Sequence, residues 1–298
     1  MGKSRCIEWF CGIGAFAYAF SDSIAIAAAV DIDQDALSIY RKNFSHRAVC
    51  ETIESIQAAE IEDWNADLWW MSPPCQPFTR RGKQLDDRDN RSQALLRLIE
   101  LIPQIGPRAI ALENVPEFQG SRTHQRLLSA LQSSGYWIEE TIACPTELGI
   151  PGRRRRYYAK FTCEPARPFA DLIADYQLPR RRLAEFLGDD HSHELRLDPG
   201  TIAKYASALD RVSPDDPAAI AACFTSAYGT SPVRSGSYLE NEAGNLRYFH
   251  PAEVAALLGF AADYRLPNDW DHRKLWSLLG NSLSIYVLRV LFRDVFGR

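Results

Sequence analysis

The chain has 298 residues, 46% of them hydrophobic and 24% charged, enough for one large domain and a small one around a sizeable core, which excludes global disorder. Its formal net charge is −4, so any nucleic acid must be met by a local patch and not by the overall field. No run approaches the roughly 20 apolar residues that cross a bilayer, the N-terminus shows no apolar signal region, and the cysteines are seven, an odd number with no C-x-x-C pair, which argues against a disulfide framework or a zinc site and for a reducing, cytoplasmic setting.

The first elements read as strand, glycine turn and helix. A strand covers residues 6–10, Phe10-Cys11-Gly12-Ile13-Gly14 turns, and residues 16–20 continue as a helix. Small residues at such a turn let a ligand approach the backbone, and the helix start offers N–H groups. The pattern is not G-x-G-x-x-G, and a simple tight turn accounts for the glycines equally well. The next strand, residues 24–30, ends in Asp31-Ile32-Asp33. A carboxylate at the end of the second strand of a βαβ unit can accept both hydroxyls of a ribose. Asp31 is assigned that role, and Asp33 the N-cap of a helix over residues 34–43. A third strand at residues 48–52 precedes Ile53 and Glu54, an apolar and an acidic side chain suited to an adenine face and its amino group.

Leu68-Trp69-Trp70-Met71 reads as a buried strand and runs into Ser72-Pro73-Pro74-Cys75-Gln76-Pro77-Phe78-Thr79. Two prolines stop the strand and stiffen the backbone. Cys75 is thereby held at a strand end, where ligands and chemistry gather in open α/β sheets. A lone cysteine is more often a small core residue than a nucleophile, and the rest of the chain reverses that weighting. Residues 80–91 set Arg80, Arg81, Lys83, Arg88 and Arg91 against Asp86, Asp87 and Asp89. They are too polar for core and read as a mobile surface loop beside Cys75. A helix over residues 92–102 is ended by Pro103. A buried strand at residues 109–112 precedes Glu113-Asn114-Val115-Pro116, so Glu113 also sits at a strand end, where a half-buried carboxyl is expected to hold a proton and donate it.

A helix at residues 123–133 and a strand at residues 137–143 follow. In Gly152-Arg153-Arg154-Arg155-Arg156-Tyr157, read as a strand, Arg154 and Arg156 share one face and Arg153 and Arg155 the other. One pair can point into a site while the other meets phosphate or water. Between residues 164 and 245 the periodic pattern breaks down, with Arg180-Arg181-Arg182 and a polar run at residues 189–194, which reads as a small separate domain. Within it lies the short apolar element Ala222-Cys223-Phe224-Thr225. A helix resumes from Pro251 to Gly259. A final amphipathic helix at residues 285–296 follows Leu278-Leu279-Gly280-Asn281-Ser282, with Asn281 or Ser282 as its cap.

Taken in order, Phe10-Cys11-Gly12-Ile13-Gly14, Pro73-Pro74-Cys75-Gln76, Glu113-Asn114-Val115, Arg154-x-Arg156 and Gly280-Asn281-Ser282 resemble the motifs of the cytosine-5 methyltransferases from one end of the chain to the other. The stretch from Met71 to Arg80, Leu112-Glu113-Asn114-Val115, Leu148-Gly149-Ile150-Pro151 and Cys223-Phe224-Thr225 are most similar to the tRNA branch, once grouped with DNA methyltransferases as type 2. Ala15 stands where the family often has a second glycine, and Arg153 and Arg155 make the arginine run more basic than the family pattern. The resemblance implies an α/β fold, a Rossmann-like S-adenosylmethionine-dependent methyltransferase sheet with a small inserted target-recognition domain. Residues 1–163 and 275–298 would form the catalytic domain and residues 164–274 the recognition domain. It implies methylation of carbon 5 of cytosine 38 in the anticodon loop of tRNA(Asp) or tRNA(Glu); separately, a monomer with no membrane partner is expected. The same reaction on DNA is the alternative, and a catalytically weak nucleic-acid-binding module the second. At the cofactor it places Phe10, Gly12, Ile13 and Gly14, with Ser72 and Asn281 nearby, beside Asp31, Ile53 and Glu54.

The chemistry needs these residue types. Carbon 5 of cytosine is a poor nucleophile until a thiolate adds to carbon 6 and pushes electron density onto it. A free cysteine, with a pKa of about 8.5, is only a few per cent thiolate at neutral pH, so Cys75 needs an electropositive setting that Arg154 or Arg156 can supply. Negative charge then develops on N3 and O2, where protonated Glu113 can donate and an arginine can bind. No residue identifies itself as the base for the carbon-5 proton, and water can serve. An anticodon-loop base is already unpaired, which lowers the cost of presenting it.

Overall fold

Residues 3–79, 85–176, 179–188 and 194–297 are described in a computed structural model of the chain. Its larger sheet has seven strands: β1 Ser4–Trp9, β2 Ile24–Asp31, β3 Ala48–Cys50, β4 Leu68–Met71, β5 Ala109–Asn114, β6 Trp137–Ala143 and β7 Arg156–Thr162. They lie in the order β3-β2-β1-β4-β5-β7-β6. β1 to β5 run parallel, and β7 enters antiparallel between β5 and β6. This is the α/β methyltransferase-type sheet expected. Helices α1 Ala15–Ala19, α2 Gln34–Asn43, α3 Ala58–Asp63, α4 Gln93–Ile105 and α5 Arg122–Ser133 connect its strands.

The apolar run of β4 is buried on both faces, as a central parallel strand must be. Successive side chains point to opposite faces. Trp69 meets Trp9, ring centroids 5.5 Å apart. Trp70 stacks on Phe16 at 4.7 Å and meets Phe292 at 5.4 Å. The strand order reverses at β1, whose neighbours are β2 on one side and β4 on the other. The loops leaving β1 and β4 therefore diverge, and the crevice between them is where ligands bind in such sheets.

The chain divides into two compact units: Met1–Ala143, Arg155–Tyr176 and Leu288–Arg298 carry the sheet, and Cys144–Arg154 with Gln177–Val287 form the other. These limits differ from the expected ones in three places, for identifiable reasons. Residues 164–176 stay with the sheet because Phe169 packs on Phe292 at 5.6 Å and its N–H donates to Glu139 at 3.0 Å. Residues 144–154 leave it because Arg153 N–H donates to the Ala221 carbonyl at 2.8 Å and Gly149 accepts from Arg181 N–H at 2.8 Å. Residues 275–287 belong to the second unit through a helix not anticipated from the sequence, His272–Asn281, whose Trp276 indole N–H donates to the Phe249 carbonyl at 3.0 Å.

In that second unit a three-stranded sheet sets Tyr238–Glu240 between Arg211–Val212 and Leu246–Arg247. An aromatic core of Phe224, Tyr228, Tyr238, Tyr248 and Trp276 holds it. Aromatic payload thus replaces the periodic pattern that the sequence lacks there.

Further expectations are revised. Pro103 lies inside α4, which runs on to Ile105 and is closed by Gly106 in the left-handed region. The last turn tolerates proline because its lost N–H bond is one of few remaining. The expected helix at residues 285–296 is two, Ile285–Leu291 and Arg293–Phe296. Asn281 ends the preceding helix, with Ser282 as that helix's C-cap. Arg80, Arg81 and Lys83, and most of the polar run at residues 189–194, lie outside the described residues. Residues 85–92 are not the loose loop expected. The Asp86 carboxylate accepts from Arg122 N–H at 2.7 Å, Thr123 N–H at 3.1 Å and Thr123 Oγ1 at 2.7 Å. A helix start in need of acceptors holds this segment down. Among the described residues no helix is long and apolar enough to cross a membrane.

Candidate active site

The end of β1 is the first half of the site. Phe10 has φ +58°, Gly12 +52° and Gly14 +87°. A non-glycine residue in that region costs on the order of 1–3 kcal/mol and marks a constrained turn. Gly14 rests on α2: a Cβ there would lie 2.5 Å from the Phe44 ring and 2.8 Å from that of Tyr40. A Cβ on Gly12 would meet nothing within 4 Å, so the turn keeps an open side for a ligand. Ser72 ties this turn to the next one, its hydroxyl donating to the Phe10 carbonyl at 3.1 Å.

Asp31 ends β2 as expected. Its carboxylate accepts from Gly12 N–H at 2.7 Å and from Asp33 N–H at 2.9 Å. Burial pushes its pKa up, partly offset by these bonds. A carboxylate offers about four acceptor positions, so room for ribose hydroxyls remains. Asp33 caps α2 through Asp35 and Ala36 N–H at 2.9 and 3.1 Å, the role assigned to it. The adenine assignment gains a second candidate. Ile53 is 3% exposed and part of the hydrophobic core, whereas Ile32, beside Asp31, is 67% exposed. Its signal in the sequence was an apolar residue between two aspartates at a strand end. Glu54 is exposed and Ile13 buried.

The second half of the site follows β4. The Cys75 carbonyl accepts from Phe78 N–H at 3.0 Å and Thr79 N–H at 3.2 Å, which closes the turn. Asn114 fixes it to β5, its side-chain amide donating to the Pro73 carbonyl at 3.2 Å. Cys75 itself is half-buried, packed in part against the core. Arg91 is an addition to the expected set. Asp89, which is buried, grips its guanidinium at 2.9 and 2.7 Å. Its pKa is raised chiefly by that pair, with Cys75 a smaller contributor, so this cation lies within electrostatic reach of the thiol.

Glu113 is buried in the last turn of β5 and meets Arg156, Nε to Oε1 3.3 Å. Burial favours the acid and an adjacent guanidinium the carboxylate, so Arg156 is placed to oppose the protonated form expected of Glu113. The burial alternation of the arginine run is as expected, with Arg153 and Arg155 exposed, but the two inward arginines have different destinations. Arg156 goes to Glu113. Arg154, in the second unit, donates to the carbonyls of Phe224 at 3.4 Å, Gly280 at 3.2 Å, and Ser282. It knits together the Cys223-Phe224-Thr225 and Gly280-Asn281-Ser282 segments. Gly280 is essential to that junction, because a Cβ there would lie 2.2 Å from the Thr225 backbone. Asn281 is exposed beside it. These bonds make Arg154 a structural clamp within the second unit, a role not assigned to it from the sequence.

Among the described residues no group of three or more His, Cys, Asp or Glu side chains is placed to hold a metal. Residues 4–165 match the family described as C-5 cytosine-specific DNA methylase. The human tRNA (cytosine(38)-C(5))-methyltransferase is 28% identical, aligned over 88% of this chain and 90% of its own. Its counterpart of the same name from Spodoptera frugiperda is 30% identical over 89% and 90%. The crystal structure of the S. pombe Dnmt2 methyltransferase superposes with a TM-score of 0.89 at 28% identity, covering 97% of both chains.

Proposed function

The chain belongs to the C-5 cytosine-specific DNA methylase family, and we propose that it methylates carbon 5 of an anticodon-loop cytosine in tRNA, with S-adenosylmethionine as donor and Cys75 as nucleophile. The observation that carries the chemistry is the Asn114–Pro73 bond, which sets the Cys75 turn beside the end of β5, where Glu113 meets Arg156 of β7. The relatives named as tRNA methyltransferases, similar along nearly the whole chain, support the choice of substrate.

The residues present suit the cofactor. The open side of Gly12, the Asp31 carboxylate and the exposed Ile32 side chain offer space, a ribose acceptor and an apolar face for adenine. When bound, S-adenosylmethionine supplies an electrophilic methyl group. Cys75 adds to carbon 6, with Arg91 as the nearby cation favouring the thiolate. Arg156 binds O2 as charge develops, and Glu113, released from the ion pair by the incoming base, takes up a proton and holds it at N3. Gly14→Ala is expected to weaken S-adenosylmethionine binding by about tenfold or more, since alanine would occupy φ +87° and press into Phe44. Calorimetric titration reads this, and an unchanged Kd would remove the turn from the cofactor site.

The family's own description favours DNA as a second reading. Labelled S-adenosylmethionine offered in parallel to total small RNA and to genomic DNA, followed by bisulfite sequencing, separates the two. Label at one anticodon-loop cytosine is the expected result. Label in DNA alone would overturn the substrate and keep the chemistry.

A further inference from the structure

Glu8 is the penultimate residue of β1, a position where the other inward side chains are apolar, and it is 1% exposed. Its Oε1 accepts from Ala17 N–H at 3.4 Å and its Oε2 lies 3.1 Å from the Tyr40 hydroxyl. The Tyr40 hydroxyl is also 3.0 Å from His46 Nδ1. His46 stacks on Phe44, ring centroids 5.3 Å apart, and is half-buried at the surface. Tyr40 and Phe44 are the two rings on which Gly14 rests. A buried carboxyl, a phenol and an imidazole thus form one hydrogen-bonded line from beneath the cofactor turn to solvent.

The groups facing Glu8 are all neutral or acidic. They are Cys6 and Cys11 from β1 and its loop, Asp31 from β2 and Tyr40 from α2. Burial keeps His46, at the outer end, below its ordinary pKa. Arg41 exerts an influence that reaches Cys11, and its guanidinium donates to the Ala48 carbonyl at 3.0 Å. Burial pushes the Glu8 carboxyl up to about 8. The acid form of Glu8 is therefore favoured at neutral pH.

Tyr40 has one hydroxyl hydrogen for two partners, so the line has two complete arrangements. With Glu8 protonated, Glu8 donates to Tyr40 and Tyr40 donates to His46 Nδ1. With Glu8 ionised, His46 Nδ1–H donates to Tyr40 and Tyr40 donates to Glu8. Passing between them breaks the Glu8 O–H bond, shifts one proton along each link and releases one from the outer imidazole nitrogen to water. No donor is left without an acceptor in either state.

Resting on the cofactor reading above, we propose that Glu8 is a specificity-determining residue: it releases its proton through Tyr40 and His46 when the cationic methyl donor binds, and recovers it once the donor has become the neutral thioether product. A sulfonium charge favours an ionised carboxylate in a low-dielectric interior, and the demethylated product lacks that charge. Glu8 thereby strengthens donor binding over product binding. The sign follows from its raised pKa. Donor affinity rises with pH until about pH 8 and levels off above it, while product affinity has little dependence from this group.

The test is calorimetric titration of the intact protein at pH 7 in buffers of different ionisation heat, with S-adenosylmethionine and with S-adenosylhomocysteine. We expect close to one proton released for the donor and much less for the product. Glu8→Gln, which keeps the shape, is expected to abolish the difference and to cut the donor-over-product preference about tenfold, the equivalent of one pKa unit. Tyr40→Phe removes the hydroxyl that supports the ionised carboxylate and should move the midpoint of donor affinity to higher pH. Equal proton release for both ligands, release that persists in Glu8→Gln, or an unmoved midpoint in Tyr40→Phe would each overturn the proposal. Failure of the wild type to bind S-adenosylmethionine at any pH would instead overturn the cofactor reading.

Discussion

Cys75→Ala is expected to abolish methyl transfer, by about 10⁴-fold or more, while leaving the fold and the affinity for S-adenosylmethionine intact. The turn does not depend on the side chain: it is closed by the Cys75 carbonyl, which accepts from Phe78 and Thr79, and anchored by Asn114 on Pro73. What is lost is the thiol proposed to add to carbon 6. Serine should not rescue, because a hydroxyl ionises far less readily than a thiol and is a far weaker nucleophile than a thiolate. A trapping experiment isolates the step. With fluorine at carbon 5 the proton that must leave is absent, so the wild type should form a stable covalent complex with 5-fluorocytosine-containing tRNA. Cys75→Ala should form none while still binding that RNA. Transfer at the wild-type rate by Cys75→Ala would remove Cys75 from the chemistry.

The second large effect separates the two arginines. Arg154→Ala is expected to destabilise the protein by roughly 3–5 kcal/mol, since three buried carbonyls lose a charged donor at about 1–3 kcal/mol each. The carbonyls of Phe224, Gly280 and Ser282 would lose a shared buried donor. In a chain of this size that lowers the unfolding temperature by about 10 °C. Lysine should not restore it, since a single ammonium cannot span three carbonyls as the planar fork does. Arg156→Ala should behave in the opposite way. Its guanidinium is half-buried beside Glu113, so the melting temperature should fall by less than for Arg154→Ala, whose guanidinium bridges three carbonyls, while kcat falls about 10²–10³-fold through loss of the group at O2. Thermal melts beside single-turnover rates read both. If Arg154→Ala melted like wild type yet lost activity, Arg154 would be touching substrate and the clamp would be the wrong account.

Residue by residue, the legible parts of this protein were those decided by near neighbours in the chain. The apolar run Leu68–Met71 declared a buried strand because both faces of a central parallel strand must be apolar. Asp33 declared a cap because a helix start lacks acceptors within its own turn. Gly12 and Gly14 declared a tight turn because left-handed backbone favours them, and two prolines declared the rigid exit that carries Cys75. These depend on backbone sterics and periodicity, which the sequence states directly, and the ordered motifs then carried the family. Tertiary structure alone decided which partners those side chains found. Arg154 and Arg156 are equivalent by alternation, yet one reaches a carbonyl 126 residues away at Gly280 and the other the neighbouring strand's Glu113. Ile53 and Ile32 are equally apolar, yet one lies in the core and the other in the open. Glu8 looked like any strand residue until α2 laid Tyr40 across it. The sequence by itself determined the strands and turns of the larger sheet and, through its ordered motifs, the family, because each of those signals is set within a few residues. Protonation states, clamps and ligand-facing surfaces were decided by tertiary structure, because they depend on burial and on charges brought together across long stretches of chain.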